Sequence, residues 1–208
     1  NNISKDIPFD EILNNIKSFK ENKILCSEII ELLEYNKSKI DFVDKKIDLG
    51  FDCPLDVYCN YSKDQILTAC DFLSVGSVRE GVKYIEDKKI DIFFVTLNKS
   101  DKDYSPTTMY KDYSLNEKLF HWQSQNQTSE NSTVGQRYIR HKKTGNKILL
   151  FVRDEKKNKY GETATYTFLG TANYKSHEGS KPMNIIWELD FPIPAKYIKE
   201  TQKMVAIS

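Results

Sequence analysis

Residues 119–125 read Leu-Phe-His-Trp-Gln-Ser-Gln, two aromatic rings and an imidazole set directly before three uncharged hydrogen-bonding side chains. In an extended strand Leu119, His121, Gln123 and Gln125 share one face, and Phe120, Trp122 and Ser124 share the other, because side chains alternate at period two. One face can then donate to and accept from the edges of a flat polar ligand, while the other supplies rings. Upstream, Tyr104, Tyr110 and Tyr113 surround Asp112 in the sequence. Aromatic walls with amide and carboxylate edges can hold a flat polar ligand, since a carboxylate accepts from an amino group and an amide can accept or donate. Asp112 is therefore the preferred acceptor, with His121, Gln123 and Gln125 as further edge readers. Tyr104, Tyr110, Tyr113, Phe120 and Trp122 are the candidate walls. The plainer alternative is a half-buried strand whose rings pack inside and whose glutamines face water.

Phosphate chemistry is concentrated downstream. Between Arg137 and Lys159 stand nine basic residues (Arg137, Arg140, Lys142, Lys143, Lys147, Arg153, Lys156, Lys157 and Lys159) against Asp154 and Glu155. Lys and Arg displace counterions from phosphates, and neutral donors fix the register. Arg137, Arg140, Lys142, Lys143 and Lys147, together with Ser124, are thus expected to follow a nucleic-acid backbone. A solvated basic hairpin is the other reading of the same stretch.

Catalytic patterns are thin. The chain has no GxxxxGK[ST], GxSxG or HExxH motif, and no catalytic residue is assigned. Cys26, Cys53, Cys59 and Cys70 form no CxxC pair, and His121, His141 and His177 are far apart, so zinc is not expected and the thiols should be reduced. Of Asp91, Asp101, Asp103 and Asp112, the first three lie around a strand–loop boundary, where Asp is common, and no metal ligand is assigned among the four.

The elements that must position these groups follow from periodicity. Asp6 to about Lys39 carries helical spacing, with Phe9, Ile12, Ile16 and Phe19 in one segment and Leu25, Ile29, Leu32 and Leu33 in the next. Ser62 with Gln65 three residues on is a capping-box signal for a short helix ending near Leu73. After Gly76, DIFFVTL, KLFHWQS, KILLFVR, ATYTFLG and NIIWELDFPIP are apolar or alternating runs separated by turn-rich stretches. Five or more strands imply a barrel or a strongly curved sheet. With 208 residues and 39% hydrophobic content the chain can bury a sizeable core, while 31 Lys and Arg against 30 Asp and Glu neither demand nor exclude a nucleic-acid partner. The chain opens Asn-Asn and has no apolar run of membrane-spanning length, which leads us to expect a cytoplasmic segment of a larger protein with no membrane partner.

DIFFVTLNKSDKDYSPTTMYKDY, LFHWQSQ, VGQRYIRHKKTGNKILLFVR, YTFLG and SHEGSKPMNIIWELDFPIP, in that order, resemble an uncharacterised-domain family found at the C-terminus of bacterial proteins that join a phospholipase-D-type nuclease to a superfamily two helicase. The resemblance runs from about Asp52 to Ala195. It implies a target-recognition domain of the modification-dependent (type IV) restriction enzymes that act on 5-methylcytosine and 5-hydroxymethylcytosine. Its partners would be double-stranded DNA carrying modified cytosine and the helicase and nuclease domains of the parent chain. No cofactor is implied for this segment itself; ATP and Mg would serve the parent's motor.

The resulting expectation is an α+β chain. Residues 1–50 would be a helical coupling segment, and residues 51–208 a β-rich curved sheet or pseudobarrel of the SRA or PUA-like kind, with a B3-like barrel as the other candidate. It would read the modified base by flipping it, with Asp112 accepting from the cytosine N4 amino group and the tyrosines, His121, Trp122, Gln123 and Gln125 completing the pocket, without being an enzyme itself. Two other classes stay open: a protein-interaction module coupling the motor, touching DNA only non-specifically, and an independent enzyme acting on nucleotides.

Overall fold

The computed structural model of the chain describes residues 8–38, 43–79, 81–98 and 112–198. Two compact units divide between Asp41 and Phe42. The first contains helices α1 (Phe9–Glu21) and α2 (Lys23–Ser38), the pair that the apolar spacing requires. Asn22 forms the joint. Its backbone N–H donates to Phe19 O at 3.2 Å, and its Oδ1 accepts from Leu25 N–H at 3.1 Å, so one residue closes α1 and caps α2.

The second unit is an eight-stranded mixed sheet with its helices. β1 (Asn60–Tyr61) leads into α3 (Lys63–Ala69), where both halves of the Ser62–Gln65 capping box are formed. α3 stops short of Leu73 because Asp71 turns into the left-handed region at φ 59, letting Phe72 N–H reach Leu67 O at 2.9 Å. The other strands are β2 (Val82–Ile85), β3 (Ile90–Thr96), β4 (Tyr113–Ser114), β5 (Leu119–Gln123), β6 (Lys147–Arg153), β7 (Tyr166–Glu178) and β8 (Asn184–Leu189). Their order is β2-β3-β6-β7-β8-β5-β4, with β1 paired to β7. All neighbours are antiparallel except β3 and β6, which run parallel. A parallel pair needs a long crossover, and the chain provides it through β4, β5 and helix α4 (Thr133–Thr144).

α4 occupies the start of the basic stretch, for which charge alone suggests a solvated hairpin. The signals for a helix are nonetheless local: Ser132 Oγ accepts from Gly135 N–H, Val134, Tyr138 and His141 recur at helical spacing, and Gly145 closes the helix at φ 74.

β7 is long enough to pair first with β6 and then with β8, with register shifts at Leu149/Phe151 and at Tyr174/Ser176. Such irregularities bend a sheet. The sheet curls so far that Phe93 of β3 stacks on Trp122 of β5 at 4.2 Å, although β6, β7 and β8 lie between their strands. It remains an open, curved sheet, since β2 and β4 are not paired. Both faces are covered. Phe93, Val95, Phe120, Trp122, Ile148, Leu150, Ile185 and Trp187 form one core with Tyr138 of α4. Ile90, Ile92, Phe94, Leu149, Phe151 and Phe168 form the other, with Leu49, Leu55, Val57, Ile66 and Leu67.

Candidate functional site

Residues 119–125 place their side chains as period two requires: Phe120 and Trp122 are buried, while Leu119, His121 and Gln123 are half-buried on the opposite face of β5. Trp122 is 5% exposed, stacked on Phe93 and edge-on to Tyr138. It is a core residue and offers no open ring face to a ligand. On the outer face Tyr113 stacks on His121 at 4.6 Å, and beside them Gln123 Nε2 donates to Asn184 Oδ1 at 3.1 Å. Asp112 is buried, and its Oδ1 accepts from Gln123 N–H at 3.0 Å, so it fixes the end of β5. Ser124 is likewise buried, its Oγ accepting from Met183 N–H at 2.8 Å, and it clamps β5 to the approach of β8. Gln125 follows half-buried. Tyr104, Tyr110, Asp101 and Asp103 lie outside the described residues. Tyr113, His121 and Gln123 therefore come together, half-buried on the outer face of β5, with Trp122 behind the sheet.

The basic stretch is divided by the fold. Arg137 Nε and Nη2 donate to the two oxygens of Asp91 at 2.8 and 2.9 Å, and its guanidinium lies 3.9 Å from the centre of the Tyr84 ring. Burial pushes the Asp91 carboxyl up, while hydrogen bonds from Arg137 pull it back. Both groups are committed to each other, which removes Arg137 from the expected phosphate contacts. Arg153 is also internal, with Nε donating to Thr96 Oγ1 at 2.9 Å and Nη1 to Ala164 O at 3.2 Å. Lys147 Nζ reaches Asp48 O at 3.5 Å. Arg140, Lys142 and Lys143 remain exposed near the end of α4, and Lys156, Lys157 and Lys159 in the β6–β7 hairpin. The length of β6, about 20 Å at about 3.3 Å per residue, separates the two groups.

A concave site lies at the C-terminal ends of the parallel strands β3 and β6. It is a cleft of about 590 Å³, within the usual size of small-molecule sites, and Asn60, Asn98, Asp154, Lys157, Thr167 and Tyr197 are among the residues lining it. Asn98 N–H donates to Asp154 O at 2.7 Å, which extends the strand pairing into its rim. Thr167 Oγ1 donates to Asn60 Oδ1 at 2.6 Å and is hydrogen-bonded to the Tyr197 hydroxyl, whose pKa burial pushes up. Asp154 Oδ1 is buried without a hydrogen-bond partner among the described residues. In the sequence Asp154 counts only as an acid offsetting nearby lysines. Its one local signal is an Asp just past an apolar strand, and what makes it a site is the parallel partner.

Among the described residues no helix is long and apolar enough to cross a membrane, and no group of three or more His, Cys, Asp or Glu is placed to hold a metal ion. In comparison with known families, residues 55–200 match the model of a domain of unknown function, DUF3427. No curated protein matches the chain.

Proposed function

Because the chain belongs to the DUF3427 family, we propose that it is a DNA-binding target-recognition domain that reads modified cytosine, 5-methylcytosine or 5-hydroxymethylcytosine, for an ATP-dependent restriction endonuclease. The observation that carries this reading is the juxtaposition at the end of β6: the hairpin bearing exposed Lys156, Lys157 and Lys159 borders a cleft with hydrogen-bonding groups to spare. Lysines on a projecting hairpin suit phosphate contact, and a polar cleft beside them suits a base extruded from the duplex. Tyr113 and His121 of the outer strip are already stacked on each other, so the cleft is the better receptacle. The partners are double-stranded DNA with a modified cytosine and the nuclease and helicase domains of a parent chain. ATP and Mg belong to that motor, and the setting is cytoplasmic.

Titration of the chain against matched duplexes carrying cytosine, 5-methylcytosine or 5-hydroxymethylcytosine at one position tests the reading. Tighter binding to a modified duplex, with affinity falling as salt rises, is expected; equal, salt-insensitive affinity for all three overturns it.

A further inference from the structure

A protein that recognises a methyl group at cytosine C5 must reject thymine, which carries the same methyl, and the Watson–Crick edges of the two bases are opposite in sense. Cytosine presents an amino donor beside acceptors. Thymine presents a carbonyl acceptor beside an imino donor.

We propose that the cleft at the ends of β3 and β6 binds a nucleobase through its amino-bearing edge, with Asp154 Oδ1 as the acceptor that determines specificity and Asn60 Nδ2 as the matching donor. Asp154 Oδ1 is buried with no donor facing it among the described residues, an arrangement that is unfavourable in the free protein and is relieved by a ligand N–H. Asn60 Oδ1 already accepts from Thr167, and Thr167 is held in turn by Tyr197, so the Asn60 amide is oriented and its Nδ2 hydrogens are what it offers the cleft. Acceptor and donor line the same cavity. Lys157 and Lys196 also line it and can reach the attached phosphate. The base selected is one with an exocyclic amino group beside a ring acceptor, either as a free nucleotide or as an extruded residue of DNA. The inference rests on the DNA-reading proposal only for the second of these sources.

The experiment compares the full chain with Asp154→Ala and with Asn60→Asp, which turns the donor into an acceptor at nearly constant size. Each is titrated against duplexes identical except for 5-methylcytosine or thymine opposite one guanine. Removal of an unpaired buried acceptor should leave the thermal midpoint unchanged or raise it. Asp154→Ala should lower affinity for the 5-methylcytosine duplex by about ten- to a hundredfold while affinity for the thymine duplex stays within about twofold, and Asn60→Asp should act in the same direction. Where the parent prefers the 5-methylcytosine duplex, a folded Asp154→Ala protein that keeps this preference overturns the assignment. A second arm separates the sources: side-chain amide NMR shifts of Asn60 are followed with 5-methyl-deoxycytidine monophosphate and with thymidine monophosphate. Shifts with the former alone, abolished by Asp154→Ala, support the cleft even where no duplex is preferred, an outcome in which only the DNA reading fails. No shift with either nucleotide, together with no duplex preference, overturns the cleft.

Discussion

The buried polar side chains hold the fold at single points, and each has a measurable consequence. His141 sits between two elements: its Nδ1–H donates to Asn146 O at 3.2 Å and its Nε2 accepts from Tyr174 N–H at 3.0 Å. Only the neutral ring can do both. Burial accordingly lowers its pKa from the ordinary 6.5. A depressed folded-state pKa in a base means that its contribution is complete above about 6.5 and is lost as pH falls toward the folded value. Thermal midpoints should drop between pH 7 and pH 5, and His141→Gln should flatten that slope while costing about 1–3 kcal/mol at pH 7. Arg137 gives a second case. Arg137→Ala leaves Asp91, which is 0% exposed, without its cation and should cost about 3–5 kcal/mol in denaturant unfolding. The double replacement Arg137→Met with Asp91→Asn should cost less than Arg137→Ala alone, because no uncompensated charge then stays buried.

At the scale of elements, α4 and the β6–β7 hairpin decide between local preference and tertiary demand. Gly135 lies in the first turn of α4, where alanine is a better helix former by about 1 kcal/mol. A Cβ there would stand 2.0 Å from Ser129 O, which cannot yield without breaking the turn that Ser132 Oγ holds by donating to Ser129 O at 2.6 Å. The clash wins, and Gly135→Ala should destabilise, read as a lower unfolding midpoint. The hairpin is ordered by Asn158 Oδ1, which accepts from Tyr160 N–H at 2.9 Å and Glu162 N–H at 3.0 Å. Replacing Lys156, Lys157 and Lys159 by Ala should reduce the salt dependence of DNA affinity by about one unit of slope for each phosphate that is no longer neutralised. The same replacement of Arg140, Lys142 and Lys143 should change it less. A larger effect from the α4 group would put the duplex at the other end of β6.

For the molecule as a whole, the boundary of the second unit is a matter of burial. Leu49 is 4% exposed in the second core, and Lys45 bridges to Val57, so the residues just before 51 belong to the sheet unit and not to the coupling segment of residues 1–50 drawn from where the family resemblance begins. A fragment beginning at Phe42 should keep the parent's near-ultraviolet circular dichroism. One beginning at Asp52 lacks Leu49 and the bridge and should unfold with about 2–5 kcal/mol less stability. Trp122→Ala belongs to this scale as well, because it removes the ring that seats on Phe93 where the curled sheet meets itself.

Sequence by itself determined what depends on near neighbours. Alternation along β5 assigned Phe120 and Trp122 to one face and His121 and Gln123 to the other; the Ser62–Gln65 pair marked the start of α3; and ordered segments marked the family. Period two states which face a side chain takes, but not what lies opposite, so it could not tell a ring that walls a pocket from one that packs on Phe93. Nor could charge counting place Arg137, since its partner Asp91 is 46 residues away and meets it only because α4 crosses the sheet. The cleft is the furthest from local reading. Asp154 becomes a buried acceptor through the parallel pairing of β6 with β3, and that pairing is set by a crossover through β4, β5 and α4. Contacts between residues distant along the chain carry no signature in either residue's neighbours, so the tertiary structure alone decided where an unused hydrogen-bonding group would be buried.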